Sequence, residues 1–321
     1  MILTDTIIGH NQHQYIIDAS WGELNAAEYP VGDCHEMVID AANRLYMLTN
    51  NTHNNVLVYD LDGNLLNAWG TTYPGAHGLS IFNDGGAEYL LITDHDRNQV
   101  IKTTLDGKEL MVMNYPHETG CYNSKEEYLP TETAVAPNGD IYVADGYGLQ
   151  YVIRYDRHGK YISHWGGMGN ADTQFNCVHG IAVDNRNAEG PATLLITSRN
   201  QNAFKRFTLH GEYIETFYLP GSFVCRPVIK GRYLYAAVFR SGSNMKLNSG
   251  YITILNEHNR VVSTPGGTEP VYKNEELLTQ HQQESVFKHP HDVAIDNNGN
   301  IYVCQWKAGN TYPLKLKKVV Y

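Results

Sequence analysis

The sequence predicts an all-β chain folded as a six-bladed propeller over residues 1–321. Three observations predict it. A strand–turn–strand unit recurs six times, at intervals of 42, 55, 47, 47 and 65 residues, and that is the spacing of four-stranded blades. The 23 tyrosines and 29 glycines, with plentiful valine, isoleucine and threonine, suit strands and turns, while long runs of Ala, Leu, Glu and Lys at helical spacing are missing. Finally, one strand is left over at the N-terminus and one is missing at the C-terminus, as a ring closed by its first strand requires.

The units align on the residue that precedes each first strand: His35 (HEMVID), His77 (HGLSIF), Glu132 (ETAVAP), His179 (HGIAVD), Arg226 (RPVIKG) and His291 (HDVAID). Second strands follow at 43–48, 88–93, 139–144, 193–197, 232–237 and 299–304. Third strands end near Asp60, Lys102, Asp156, Phe207, Leu255 and Lys317. Pairs such as Asp62-Gly63, Asp106-Gly107, His158-Gly159 and His210-Gly211 turn the chain into a fourth strand. Gln14 to Gly22 has the form of the fourth strands Lys160–Gly166 and Leu65–Gly70 but precedes the first repeat, so it is expected to complete the last blade. Segments 112–128 and 263–287 are insertions in the ring, the second with a helical look from Glu275 to Ser285. The form of the repeat resembles the NHL class of propellers, which includes both binding modules and enzymes.

A formal charge of −10 excludes the basic footprint that nucleic acid or an anionic membrane requires. Met1 to Ile8 shows no basic then apolar leader pattern, and no stretch approaches 18 apolar residues. The chain reads as soluble and cytoplasmic, or as secreted or periplasmic had a leader been removed, and as a monomer. Five scattered cysteines without a CxxC pair suit a reducing compartment.

Inner strands line a propeller's channel, so equivalent positions in different blades face one another. His77, His179 and His291 stand in repeats two, four and six, about 120° apart, as a trigonal set of metal ligands requires. Singly, each imidazole could just as well hydrogen-bond a neighbouring blade; together, 3 of 15 histidines in one register of alternate blades point to a metal. Zinc is expected, since no carboxylate-containing redox triad or thiolate set is visible. His35 shares the register and is either a further channel histidine near the substrate or a structural one. Cys177 and Cys225 read as small buried hydrophobes.

Phe175-Asn176-Cys177-Val178-His179-Gly180, Lys288-His289-Pro290-His291-Asp292-Val293 and Gly75-Ala76-His77-Gly78-Leu79-Ser80, with Ile141-Tyr142-Val143-Ala144-Asp145-Gly146-Tyr147, resemble the catalytic propeller of the peptidyl-α-hydroxyglycine α-amidating lyase family. The resemblance implies zinc on His77, His179 and His291, Tyr147 as the base and Arg199 beside it. It also implies a structural calcium ion held by Asp292 and the carbonyls of Leu79 and Met37. The family's active-site arginine has no counterpart here, where the chain reads Leu48-Thr49-Asn50-Asn51; His289 replaces a methionine and Gly148 a cysteine. The metal and tyrosine half of the site is kept, and the half facing the substrate carboxylate is changed.

The implied reaction is cleavage of the C–N bond of an α-hydroxylated amide, small or peptide-like, with Arg226, Arg240, His35 and His289 as substrate-facing candidates. Two rival readings remain. A metal-dependent lactone or ester hydrolase would take Glu36 or Glu132 as its base. A non-catalytic binding propeller would use loops such as Thr71 to Ala76 and Asn244 to Ser249.

Overall fold

The computed structural model describes residues 6–187 and 189–320; Met1–Asp5, Ala188 and Tyr321, the start of the region read for a leader among them, lie outside. Among the described residues the strands form six sheets of four or five strands and one two-stranded hairpin. Blade one runs Cys34–Ile39, Leu45–Thr49, Val56–Tyr59, Leu65–Trp69; blade two Ala76–Asp84, Ala87–Asp94, Gln99–Thr104, Glu109–Met113; blade three Glu132–Val135, Ile141–Ala144, Tyr151–Tyr155, Tyr161–Gly166; blade four Val178–Asp184, Thr193–Ser198, Ala203–Thr208, Tyr213–Tyr218. Each first strand packs beside the next blade's, and the sixth (Pro290–Ile295) returns to the first (Cys34–Ile39). The fold is the expected six-bladed β-propeller.

Blade structure follows from residue chemistry. The second strands are buried on both faces and read as apolar runs, as in Leu45–Thr49 and Ile141–Ala144, whereas outer strands such as Leu65–Trp69 are half-exposed. In blades one and six the turn between first and second strands is closed by an aspartate, Asp40 and Asp296. Asp296 Oδ1 accepts from the amides of Asn298 and Asn300, both at 2.9 Å, and the Tyr302 hydroxyl donates to Asp296 Oδ2 at 3.0 Å. Gly299, at φ +80°, supplies the left-handed step of that turn.

The ring closes as the leftover strand requires. His13–Asp18 pairs antiparallel with Leu314–Lys318, with Tyr15 opposite Lys318 and Ile17 opposite Leu316, and Ile7–His10 folds back outside it. Tyr15 and Ile17 are buried, and two such side chains contribute about 3–6 kcal/mol toward holding the ends together.

Two elements depart from expectation. No helix forms over 275–285; Tyr272–Lys273 and Glu276–Leu277 make a short hairpin instead. Asn274 and Glu275 are consecutive left-handed residues, φ +51° and +67°, which is the backbone of a tight hairpin turn and ends any helix. Blade five has its inner strand split into Ser222–Val224 and Val228–Lys230, both paired with Tyr233–Ser241, which continues to Tyr251–Leu255 and Val261–Ser263. Pro227 lies in the gap, where it has no N–H to give the ladder. Among the described residues no helix is long and apolar enough to cross a membrane, and the five cysteines are free.

Candidate metal centre

The histidines of blades one, two, four and six all sit at β-bulges. Pairing holds at Cys34↔Thr49, Ala76↔Asp94, Val178↔Ser198 and Pro290↔Gln305, then shifts and resumes at Glu36, Leu79, Ile181 and Asp292. His35, His77, His179 and His291 occupy the shifted steps. A bulge unpairs a residue and re-aims its side chain; here the four rings converge. The glycines after His77 and His179 allow the close approach of the next blade. A Cβ on Gly78 would lie 2.4 Å from Thr131 O, and one on Gly180 2.5 Å from Arg226 Cα.

Ring centroids of His77, His179 and His291 are 4.8, 4.9 and 5.0 Å apart, and His35 lies 4.8 Å from His77 and 5.0 Å from His291. Ligand atoms of His35, His77 and His291 all fall within 4.8 Å of one another, as do those of His179, Cys225 and His291. His35 is therefore a full member of the cluster, through its ring and through its carbonyl, and Cys225 faces the cluster rather than only filling space.

Hydrogen bonds fix two of the tautomers. His77 Nδ1 lies 2.9 Å from Thr131 O and His291 Nδ1 2.9 Å from His35 O. A carbonyl only accepts, so both Nδ1 atoms carry the proton and both Nε2 atoms keep a lone pair. Donation of the distal N–H to a backbone carbonyl is the support that metal-bound imidazoles receive. His35 Nδ1 and His179 Nδ1 are buried with no partner. Burial, then the crowding of neighbouring imidazoles and, for His35, His179 and His291, the Arg199 guanidinium, pushes His35 down to about 3 and His77, His179 and His291 well below the usual histidine value. All four are neutral at physiological pH, the state in which imidazole ligates a metal.

Tyr147 is 42% exposed as a residue, yet its hydroxyl reaches inward, 3.0 Å from His77 Nε2 and 3.1 Å from His179 Nε2. Asp145 holds the turn that carries it, accepting from Leu129 N at 2.7 Å, Leu149 N at 2.6 Å and the Tyr122 hydroxyl at 2.8 Å. Burial pushes the Tyr147 phenol up to about 12, opposed by the Arg199 guanidinium. Arg199 opens the turn after Thr193–Ser198 and is itself buried, donating to Cys225 Sγ at 3.0 Å and lying 4.8 Å over the Phe239 ring. Burial raises the Cys225 thiol to about 11, again against Arg199.

Beneath the imidazoles lies a second buried layer. Arg226, set free by the break in blade five, donates from Nε to Asp292 Oδ1 at 3.1 Å and from Nη2 to Asp292 Oδ2 at 2.6 Å. It also donates to Leu79 O at 2.9 Å and Met37 O at 3.0 Å. Glu36 and Glu132 approach the same guanidinium at 3.7 and 3.6 Å. Asp292 and the carbonyls of Leu79 and Met37, the groups expected around calcium, thus meet on Arg226, which is committed to them and not to a substrate.

The remaining candidates divide. His289 does not offer a free nitrogen, because Nε2 accepts from Asn248 N at 3.0 Å and Nδ1 lies 3.2 Å from Trp306 O. Arg240 is half-buried, stacks on Phe239 at 4.8 Å and leaves its Nε without a partner. Asn50 accepts from Asp33 N at 2.9 Å and brings no charge. His95, absent from the sequence reading, follows the second strand of blade two as Tyr147 and Arg199 follow theirs; its ring is 6.2 Å from His77 and 6.1 Å from Tyr147. Aligning the residues that follow second strands, instead of those that precede first strands, would have found it.

No family profile matches the chain. Among curated proteins it is 24% identical over 265 residues to peptidyl-alpha-hydroxyglycine alpha-amidating lyase 1 of Drosophila melanogaster, covering 76% of this chain and 44% of that protein. It is 27% identical over 244 residues to peptidyl-glycine alpha-amidating monooxygenase A of Xenopus laevis, covering 71% of this chain and 23% of that protein. The chain is similar to amidating-lyase and NHL-repeat propellers. The NHL match is human NHL repeat-containing protein 3, 26% identical over 179 residues, 53% of this chain and 51% of that protein. The chain thus spans less than half the length of the lyase and about a quarter of the monooxygenase. Two solved structures share the fold: a gluconolactonase from Xanthomonas campestris (TM-score 0.65, 12% identity, 98% and 96% of the two chains) and a streptogramin B lyase (0.59, 12%, 90% and 94%).

Proposed function

We propose that the chain is a zinc-dependent lyase that cleaves the C–N bond of an α-hydroxylated amide. The observation that carries the reading is the pair His77 and His291, each donating Nδ1–H to a backbone carbonyl and keeping a lone pair on Nε2, with the Tyr147 hydroxyl set between His77 Nε2 and His179 Nε2. The donor set is neutral and nitrogen-rich, and suits zinc. Bound to His77, His179 and His291, with His35 adjoining, zinc would supply a Lewis acid for the substrate hydroxyl and the positive charge that lowers the neighbouring phenol.

The chain's own groups account for the rest. Tyr147 Oη takes the proton from the substrate hydroxyl, the C–O bond becomes a carbonyl, the C–N bond breaks and its electron pair stays on nitrogen. That nitrogen is then protonated to leave a primary amide and an aldehyde or keto acid. Arg199 stabilises the phenolate form of Tyr147, and Asp145 keeps the phenol in place. Arg240, partly unsatisfied and on the rim, is the cation available to an acidic substrate, since Asn50 provides none.

Similarity to the amidating lyases supports this reading over the hydrolase. Glu36 and Glu132, the carboxylates a hydrolase would use, are buried and turned to Arg226. Incubation of zinc-loaded protein with an α-hydroxyglycine amide, assayed for glyoxylate, tests the proposal. Glyoxylate release that Tyr147→Phe abolishes is expected; no release, with acid formed from a lactone instead, would overturn it.

A further inference from the structure

We infer that the Arg226 guanidinium is a built-in cation standing where a calcium ion would otherwise hold the axis together, so that the chain needs no calcium. The three residues that the lyase resemblance assigns to calcium all accept from Arg226: Asp292 through both carboxylate oxygens, and Leu79 and Met37 through their carbonyls, at 2.6 to 3.1 Å. Calcium takes six to eight oxygen ligands at about 2.3–2.6 Å, and it could gather these only by expelling the side chain. The fork of the guanidinium matches a carboxylate in a way that a point charge does not.

The rest of the layer is arranged for a fixed monovalent cation. Glu36 Oε2 accepts from Leu79 N and Glu132 Oε1 from Thr133 N, each at 2.7 Å. Their other oxygens, Glu36 Oε1 and Glu132 Oε2, are buried and make no hydrogen bond. Glu36 Oε2 lies 3.7 Å from Arg226 Nη1 and Glu132 Oε2 3.6 Å from Nε, so all three carboxylates face the one guanidinium. The break at Pro227 is what lets Arg226 leave its own strand and tie blade five to the first, second and sixth blades. This inference stands apart from the reaction assigned above.

The test uses the full chain, stripped with EDTA, reloaded with zinc and melted with and without millimolar CaCl2. The parent is expected to retain no calcium through gel filtration and to change its Tm by less than about 1 °C. Arg226→Ala is expected to melt about 5–10 °C lower, and to recover part of that with CaCl2 but not with MgCl2. A parent that keeps about one calcium per chain, or gains more than about 2 °C from CaCl2, would overturn the inference. So would a folded Arg226→Ala that calcium leaves unchanged, which would make the arginine an ordinary clamp. Should Arg226→Ala not fold in either condition, the parent's calcium content and melt decide.

Discussion

Two layers of buried groups share the propeller axis, and they solve the same problem in opposite ways. Above, four neutral imidazoles crowd together with two Nδ1 atoms lacking any partner. Below, three carboxylates are gathered around one arginine, with Asp292 doubly bonded to it. Burial disfavours charge in both. The upper layer meets it by remaining neutral, with the Tyr147 hydroxyl against two of its nitrogens, and the lower by carrying its own counterion. On the proposed reading, the difference separates a layer that would receive a cation from one already supplied with it. Burial and density of titratable groups alone would not distinguish them.

The sharpest contrast lies in what each layer's key residue does when removed. Tyr147→Phe keeps the ring and removes only the hydroxyl shared by His77 and His179. The rate of C–N cleavage is expected to fall by about 10²–10⁴-fold with the melting curve unmoved, as single-turnover kinetics and calorimetry would show. Arg226→Met is the mirror case. Loss of the guanidinium leaves Asp292 uncompensated, and urea unfolding is expected to show about 3–5 kcal/mol less stability. A rate loss in the second variant without a stability loss would erase the distinction between the layers.

Smaller effects sharpen it. Asn50→Arg places a cation where the lyase resemblance expects one and is expected to lower KM for an acidic substrate by about tenfold, with kcat little changed, since one charge-assisted hydrogen bond contributes about 1.5 kcal/mol. Glu36→Gln should be nearly silent. The amide keeps an acceptor for Leu79 N and offers Glu132 a donor, so unfolding free energy is expected to change by less than about 1 kcal/mol. A loss like that of Arg226→Met would mean that both glutamates are charged.

Much of this was legible in the chain. The six units, the ring closure by Gln14–Gly22 and the register of His77, His179 and His291 all follow from strand patterning, which repeats with the blade. What was hidden depends on breaks in that pattern. Bulges at the histidine positions decide which side chains face inward, and they leave no mark in the alternation of residues around Cys34 or Val178. Arg226 stands in the histidine register of blade five, which suggested a substrate contact. Only the interruption at Pro227 turns it into the axis. The apparent helix over Glu275–Ser285 rested on residue types, while two left-handed residues, Asn274 and Glu275, determine the backbone there.

The central claim is that the imidazole layer holds a metal and the arginine layer does not. Elemental mass spectrometry of the purified chain beside His77→Ala, His179→Ala, His291→Ala and Arg226→Ala tests it most directly. The account predicts about one zinc per chain in the parent and in folded Arg226→Ala, and none in the three histidine variants. No stoichiometric metal in the parent, or zinc that survives all three histidine substitutions, would contradict it.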